Sequence, residues 1–107
     1  MVASFEFNTE DTANSWALIL GGSSGLGFAS AKKLAAKGLH ICIVHRTRRS
    51  KLEEFNHTIE ALRKTGIDIE TFNLDALNPA TIDKVKDFFT ERNASVKVLL
   101  HSIAKGN

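Results

Sequence analysis

An apolar run that ends abruptly in glycine constrains this chain more than any other feature: Leu18-Ile19-Leu20 passes directly into Gly21-Gly22-Ser23-Ser24-Gly25-Leu26-Gly27. An alanine-rich helical pattern over residues 28–37 follows, with Gly38 placed to stop it. The order is strand, tight turn, helix. Backbone N–H groups in such a turn, with the partial positive charge of a helix N-terminus, hold a diphosphate without any basic side chain. Glycine permits both the turn and the close approach. The spacing Gly21-x-x-x-Gly25-x-Gly27 leaves Gly27 without a side chain where the helix must pack on the strand, whereas a dinucleotide fingerprint starting at Gly25 would need a glycine at Ser30. A glycine-rich turn between strand and helix is also met as a purely structural device, so the rest of the chain has to decide between the two.

The remaining pattern alternates strands and helices with short connections. Residues 16–20 read as a first strand, apolar on both faces, and residues 26–37 as a helix turning Leu26, Ala29 or Ser30, Leu34 and its small alanines toward the sheet. A second strand over 39–45 draws its β-branched character from Ile41, Ile43 and Val44, and ends at the basic cluster Arg46-Thr47-Arg48-Arg49. Ser50-Lys51-Leu52-Glu53 has the form of a capping box, opening a helix with the stripe Leu52, Phe55, Ile59 and Leu62 and a stop at Gly66. Residues 67–74 alternate as a third strand suited to an exposed edge. Asn78-Pro79 then starts a helix to about residue 92 that is expected to bury Ile82, Val85, Phe88 and Phe89. A fourth strand over 96–103 carries Val96, Val98 and Leu100 on one face and Leu99 and Ile103 on the other.

This βαβαβαβ order predicts an α/β class chain with a doubly wound parallel sheet, the N-terminal half of a Rossmann fold, in strand order 3-2-1-4. The switch point lies between strands one and four, beside the glycine turn. Residues 1–15 are expected to form an N-terminal arm and residues 16–107 the nucleotide-binding segment.

Composition narrows the function classes. At 43% apolar and 24% charged residues the chain has the make-up of a globular domain, and a net charge of +2 gives little footing for nucleic acid. No apolar run approaches the roughly 20 residues of a membrane span. The single Cys42 has no partner for an internal disulfide, which with the lack of a signal-peptide layout points to the cytoplasm. His40, His57 and Cys42 read as structural, and no spacing of His, Cys and carboxylates suggests a metal site.

The motifs together resemble the N-terminal half of a short-chain dehydrogenase/reductase. That family opens with Thr-Gly-x-x-x-Gly-x-Gly, and Leu20 to Gly27 matches except that Leu20 replaces the threonine. Asp75 stands where the family has an aspartate near the adenine ring. His101-Ser102-Ile103-Ala104 replaces the usual Asn-Asn-Ala-Gly and is similar to the tetrapeptide of enoyl-acyl-carrier-protein reductases, although that branch spaces its first glycines differently. The resemblance spans residues 16–104. It implies a dinucleotide cofactor held by Gly21, Ser23, Ser24, Gly25, Leu26 and Gly27, with His45 and Arg46 at the adenosine ribose, Asp75 at the adenine, and His101 and Ser102 near the nicotinamide ribose.

Charge after the second strand bears on which dinucleotide. A carboxylate there accepts from both ribose hydroxyls and favours NAD, whereas arginines pair with a 2′-phosphate. Here Arg46, Arg48 and Arg49 precede any carboxylate, so NADP is expected, with Arg46 first after the strand. The plainer readings are a solvated basic turn, an Asp75 that caps the turn before the third helix, and a packed His101.

Family enzymes reduce a carbonyl or a conjugated double bond by hydride transfer, with a tyrosine as proton donor and a nearby lysine, both downstream of the fourth strand. This chain contains no tyrosine. It is therefore expected to be the cofactor-binding fragment of an NADP-dependent oxidoreductase, with a small-molecule or acyl-carrier substrate in the parent enzyme, a homo-oligomeric state, and neither nucleic acid nor membrane as partner. Two other readings stand beside it: a non-catalytic nucleotide-binding sensor, and a small interaction domain in which the glycine spacing is coincidence.

Overall fold

The computed structural model describes residues 14–21 and 25–101, with residues 25–27 described by their helical backbone alone. Seven elements alternate along the chain: β1 (Ser15–Leu20), α1 (Gly25–Ala36), β2 (His40–His45), α2 (Arg49–Arg63), β3 (Ile69–Asn73), α3 (Pro79–Arg92) and β4 (Ser95–His101). The strands form one sheet in the order β3-β2-β1-β4, every pair parallel. This is the expected doubly wound topology. β1 is central because it can be: Trp16 to Leu20 is apolar at every position, which suits a strand paired on both sides and covered on both faces.

Side-chain alternation divides the core into two layers. On one face Ala17 and Ile19 of β1, Ile41 and Ile43 of β2, and Val98 and Leu100 of β4 meet Ala31 and Ala35 of α1 and Phe55, Ile59 and Leu62 of α2. On the other, Trp16, Leu20, Cys42 and Val44 meet Val85, Phe88 and Phe89 of α3. The second layer is aromatic, with the Trp16 ring edge-on to Phe88 at 5.2 Å and to Phe89 at 5.7 Å. Alanines in α1 bring that helix close to the sheet, with Phe28 and Leu34 packed at the margin.

Several local expectations are corrected. Ala29 is exposed, and the inward positions of α1 are Ala31 and Ala35. In α3, Ile82 is 38% exposed while Thr81 is buried. Helical repeat explains it, since positions 81, 85 and 88 share one stripe and residue 82 is turned about 100° away from 81. The capping box also fails. Helix α2 starts at Arg49 with Arg48 as its N-cap, in extended conformation and without a side-chain cap, so Ser50 already lies inside the first turn. In β4, Val96 pairs with Trp16 and Val98 with the next residue, Ala17. The extra residue, Lys97, is a bulge that moves Val96 off the face it was expected to share with Val98 and Leu100. Val96 is 42% exposed as a result. Ile103 lies outside the described residues.

The expected boundary between arm and domain falls inside β1, whose first residue Ser15 is fully buried. Asn14 is also tied down: its Nδ2 donates to the carbonyls of Arg92 at 2.9 Å and Asn93 at 2.7 Å, and its own carbonyl accepts from the Ser95 N–H at 3.0 Å. It joins the start of β1 to the turn between α3 and β4, where Asn93 takes the left-handed conformation at φ 53°. The α3 cap matches its reading, with the Asn78 side chain accepting from Ala80 N–H at 2.9 Å and Pro79 at the first position.

Two substitutions one turn apart test the phase of α3. Val85→Ala is expected to destabilise by about 2 kcal/mol and Ile82→Ala by less than about 1 kcal/mol, measured by urea denaturation. Equal losses would contradict the assigned stripe.

Candidate functional site at the strand ends

A parallel sheet gathers the ends of all its strands on one edge. The last residues of the ladder form a row there, His101 opposite Leu20, Leu20 opposite Val44, and His45 opposite Asn73. Gly21 leaves β1 at this row, its N–H donating to the Val44 carbonyl at 2.6 Å. Its φ of 88° is left-handed, so glycine is required for the turn. α1 begins four residues later at Gly25, and the backbones of Gly25, Leu26 and Gly27 form its first turn. The end of β1 and the first turn of α1 are thus joined through residues 22–24, which lie outside the described residues. Ser23, Ser24 and Ser102 lie outside the described residues.

Beside this turn the loop between β2 and α2 opens a cleft of about 520 Å³. Phe28 of α1 and Phe55 of α2 supply apolar walls, their rings 5.3 Å apart. Arg46, Arg48 and Lys51 supply charge, against one lining carboxylate, Glu54. The mouth is therefore cationic. The uncapped N-terminus of α2 adds further positive potential on the same side.

His45 does not face this cleft. It is 2% exposed, its ring stacked on Phe55 at 4.0 Å, and its Nδ1 shares a 2.7 Å hydrogen bond with the Thr47 hydroxyl. Burial pulls its pKa down to about 4, so the imidazole is neutral at pH 7. Arg46, in contrast, is exposed and first after the strand. Asp75 lies in the turn after β3, with Oδ1 accepting from Leu77 N–H at 3.0 Å and its carbonyl accepting from Asn78 N–H at 3.0 Å. Its carboxylate thus does the turn-capping work weighed for it from sequence. His101 is half-buried at the end of β4.

Sequence reading missed three residues of this region. Lys51 falls in the capping-box reading, Phe28 at the start of the alanine-rich helical pattern, and Asn73 in a strand pattern. Asn73 carries no motif that could have flagged it, because its partner is a backbone 26 residues away. Of the residues read as structural, His40 Nδ1 accepts from Asp68 N–H at 3.0 Å, Cys42 is fully buried with its thiol pushed up to about 12 by burial and by Glu70, and His57 is exposed on α2. Among the described residues no group of His, Cys, Asp and Glu could hold a metal ion, and no helix is long and apolar enough to cross a membrane.

A model of the short chain dehydrogenase family matches residues 15–104, the whole sheet with its three helices. The chain belongs to that family. It is 32% identical over 92 residues to a very-long-chain 3-oxoacyl-CoA reductase of Debaryomyces hansenii, covering 86% of this chain and 26% of that protein. It is 38% identical over 71 residues to a 3-dehydrosphinganine reductase of Arabidopsis thaliana, covering 66% and 21%, and 32% identical over 89 residues to a putative steroid dehydrogenase of Caenorhabditis elegans, covering 83% and 28%. The chain spans about a quarter of the length of these curated relatives. Short-chain dehydrogenases are oxidoreductases that use a nicotinamide dinucleotide.

The buried His45 makes stability depend on pH in a definite direction. Its pKa falls from the ordinary 6.5 to about 4 on folding, so the unfolded chain binds the extra proton between those values. Its contribution is constant above about pH 6.5, and stability falls as pH drops toward 4, by at most about 1.4 kcal/mol per pH unit. Urea denaturation at pH 5 and pH 7 is expected to show a smaller difference for His45→Gln than for the parent chain.

Proposed function

We propose that this chain is the cofactor-binding part of an NADP-dependent short-chain reductase acting on a carbonyl substrate. The observation that carries the cofactor choice is the cationic cleft at the end of β2, where Arg46, Arg48 and Lys51 outnumber Glu54 beside an uncapped helix start. Such a surface suits a 2′-phosphate, and it offers no carboxylate directly after β2 to accept from ribose hydroxyls. The family supports a nicotinamide dinucleotide, and the charge after β2 supports the form with a 2′-phosphate.

The fit to the dinucleotide rests on the residues present. Gly21 at φ 88° and the first turn of α1 provide backbone N–H groups for the diphosphate, with Gly22, Ser23 and Ser24 between them in sequence. Arg46 binds the 2′-phosphate and Arg48 and Lys51 raise the local potential. Phe28 and Phe55 exclude water from one side of the cleft. His45 acts from behind, as a neutral support of Thr47. Asp75 borders the adenine while holding its turn, and His101 with Ser102 lies toward the nicotinamide ribose at the switch point.

Bound nicotinamide supplies the hydride for the reaction. The chain has no tyrosine, so its part in the reaction is to bind and orient the cofactor, and the proton donor is sought outside these residues. A carbonyl substrate is favoured over an enoyl one because similar proteins include reductases named for 3-oxoacyl-CoA and 3-dehydrosphinganine. Cys42, single and buried, accords with a cytoplasmic setting.

Arg46→Asp tests the phosphate role. It is expected to weaken NADPH binding by about tenfold or more, the scale of a lost charge-assisted hydrogen bond, with NADH changed by less than about threefold, as read by calorimetric titration. Equal weakening of both would remove the 2′-phosphate assignment.

A further inference from the structure

Thr47 stands between two cleft arginines and is itself held at three points. Its N–H donates to Asn73 Oδ1 at 2.9 Å, its carbonyl accepts from Asn73 Nδ2 at 3.2 Å, and its hydroxyl is bonded to His45 Nδ1 at 2.7 Å. One amide side chain therefore clamps both sides of the Thr47 backbone. Asn73 is the last residue of β3 and pairs with His45 in the ladder, so the clamp extends the β2–β3 pairing by side chain past the point where the main-chain ladder ends. α2 follows at once, with Arg48 as its extended N-cap and no side-chain cap.

Charged side chains on long flexible stems lose conformational freedom when they grip a phosphate, and a loop that moves with them raises that loss. A fixed Thr47 removes the loop's share of it. From this we propose that Asn73 is a positioning residue for cofactor specificity: by clamping Thr47 it presents Arg46 and Arg48 to the 2′-phosphate in advance of binding. The assignment rests on the 2′-phosphate reading given above and extends it to a residue that does not line the cleft.

Asn73→Ala removes both bonds and leaves Arg46, Arg48 and Lys51 in place. NADPH binding is expected to weaken about fivefold, consistent with two modest solvent-exposed hydrogen bonds, while NADH binding stays within about twofold. Amide exchange without nucleotide is expected to show Thr47 N–H protected in the parent chain and exposed in the variant. Asn78→Ala serves as the control, because it removes a side-chain bond from the α3 cap without touching Thr47 and should leave the NADPH to NADH ratio unchanged. If the parent chain prefers NADPH and Asn73→Ala prefers it equally, the positioning role is overturned while the 2′-phosphate reading stands. If the parent chain shows no preference but Thr47 protection still depends on Asn73, the 2′-phosphate reading fails and the specificity role fails with it. Equal loss of NADPH and NADH in Asn73→Ala, matched by Asn78→Ala, overturns the role in favour of general stability.

Discussion

The hydrogen bond from Gly21 N–H to the Val44 carbonyl marks the point on which the rest of the molecule depends. It is the last tie between β1 and β2 before the chain turns out of the sheet, and the turn is possible because Gly21 tolerates a φ of 88°. β1 pairs with β2 on one side and β4 on the other, and a strand so placed, covered on both faces, is apolar on both. Trp16, Leu18 and Leu20 face α3 while Ala17 and Ile19 face α1 and α2, so both layers of the core converge on this strand. The parallel register then brings the ends of the other strands to the same edge, where the cofactor of the family is bound.

A second constraint acts one strand away. Two of the cleft cations, Arg46 and Arg48, sit on a loop of few residues between β2 and α2, and such a loop needs an anchor to hold them in place. Thr47 provides it through Asn73 and His45, and Phe55 holds His45 by stacking. Burial keeps that imidazole neutral, so the support does not add to the cationic field that Arg46, Arg48 and Lys51 create. Core packing, loop geometry and surface charge are joined here through a handful of contacts.

Topology and strand order were legible in the sequence because they depend on periodicity and on the handedness of crossovers, both of which act over short windows. The aromatic residues Phe88 and Phe89 and the Asn78-Pro79 start fell where the pattern placed them. The misreadings have a common cause. Ser50 matched a capping template, yet α2 starts at Arg49 with Arg48 as its N-cap, two residues after a Thr47 whose backbone is bonded to Asn73. Val96 kept the alternation on paper, yet a bulge at Lys97 shifted its face. His45, placed at the ribose by the resemblance, has a buried ring stacked on Phe55 of the following helix, a contact its own stretch of sequence does not show. In each case a tertiary partner overrode a local rule. Gly21 stands where the apolar run ends in the sequence, and its φ of 88° is a backbone requirement that glycine meets locally.

Whether the cationic cleft takes a 2′-phosphate is tested most directly by mapping amide chemical shifts of the chain with adenosine 2′,5′-bisphosphate and, separately, with adenosine 5′-phosphate. The account predicts that amides of residues 46–51 move with the first ligand and stay nearly still with the second. Identical maps, or shifts confined to the glycine turn with both ligands, would contradict it.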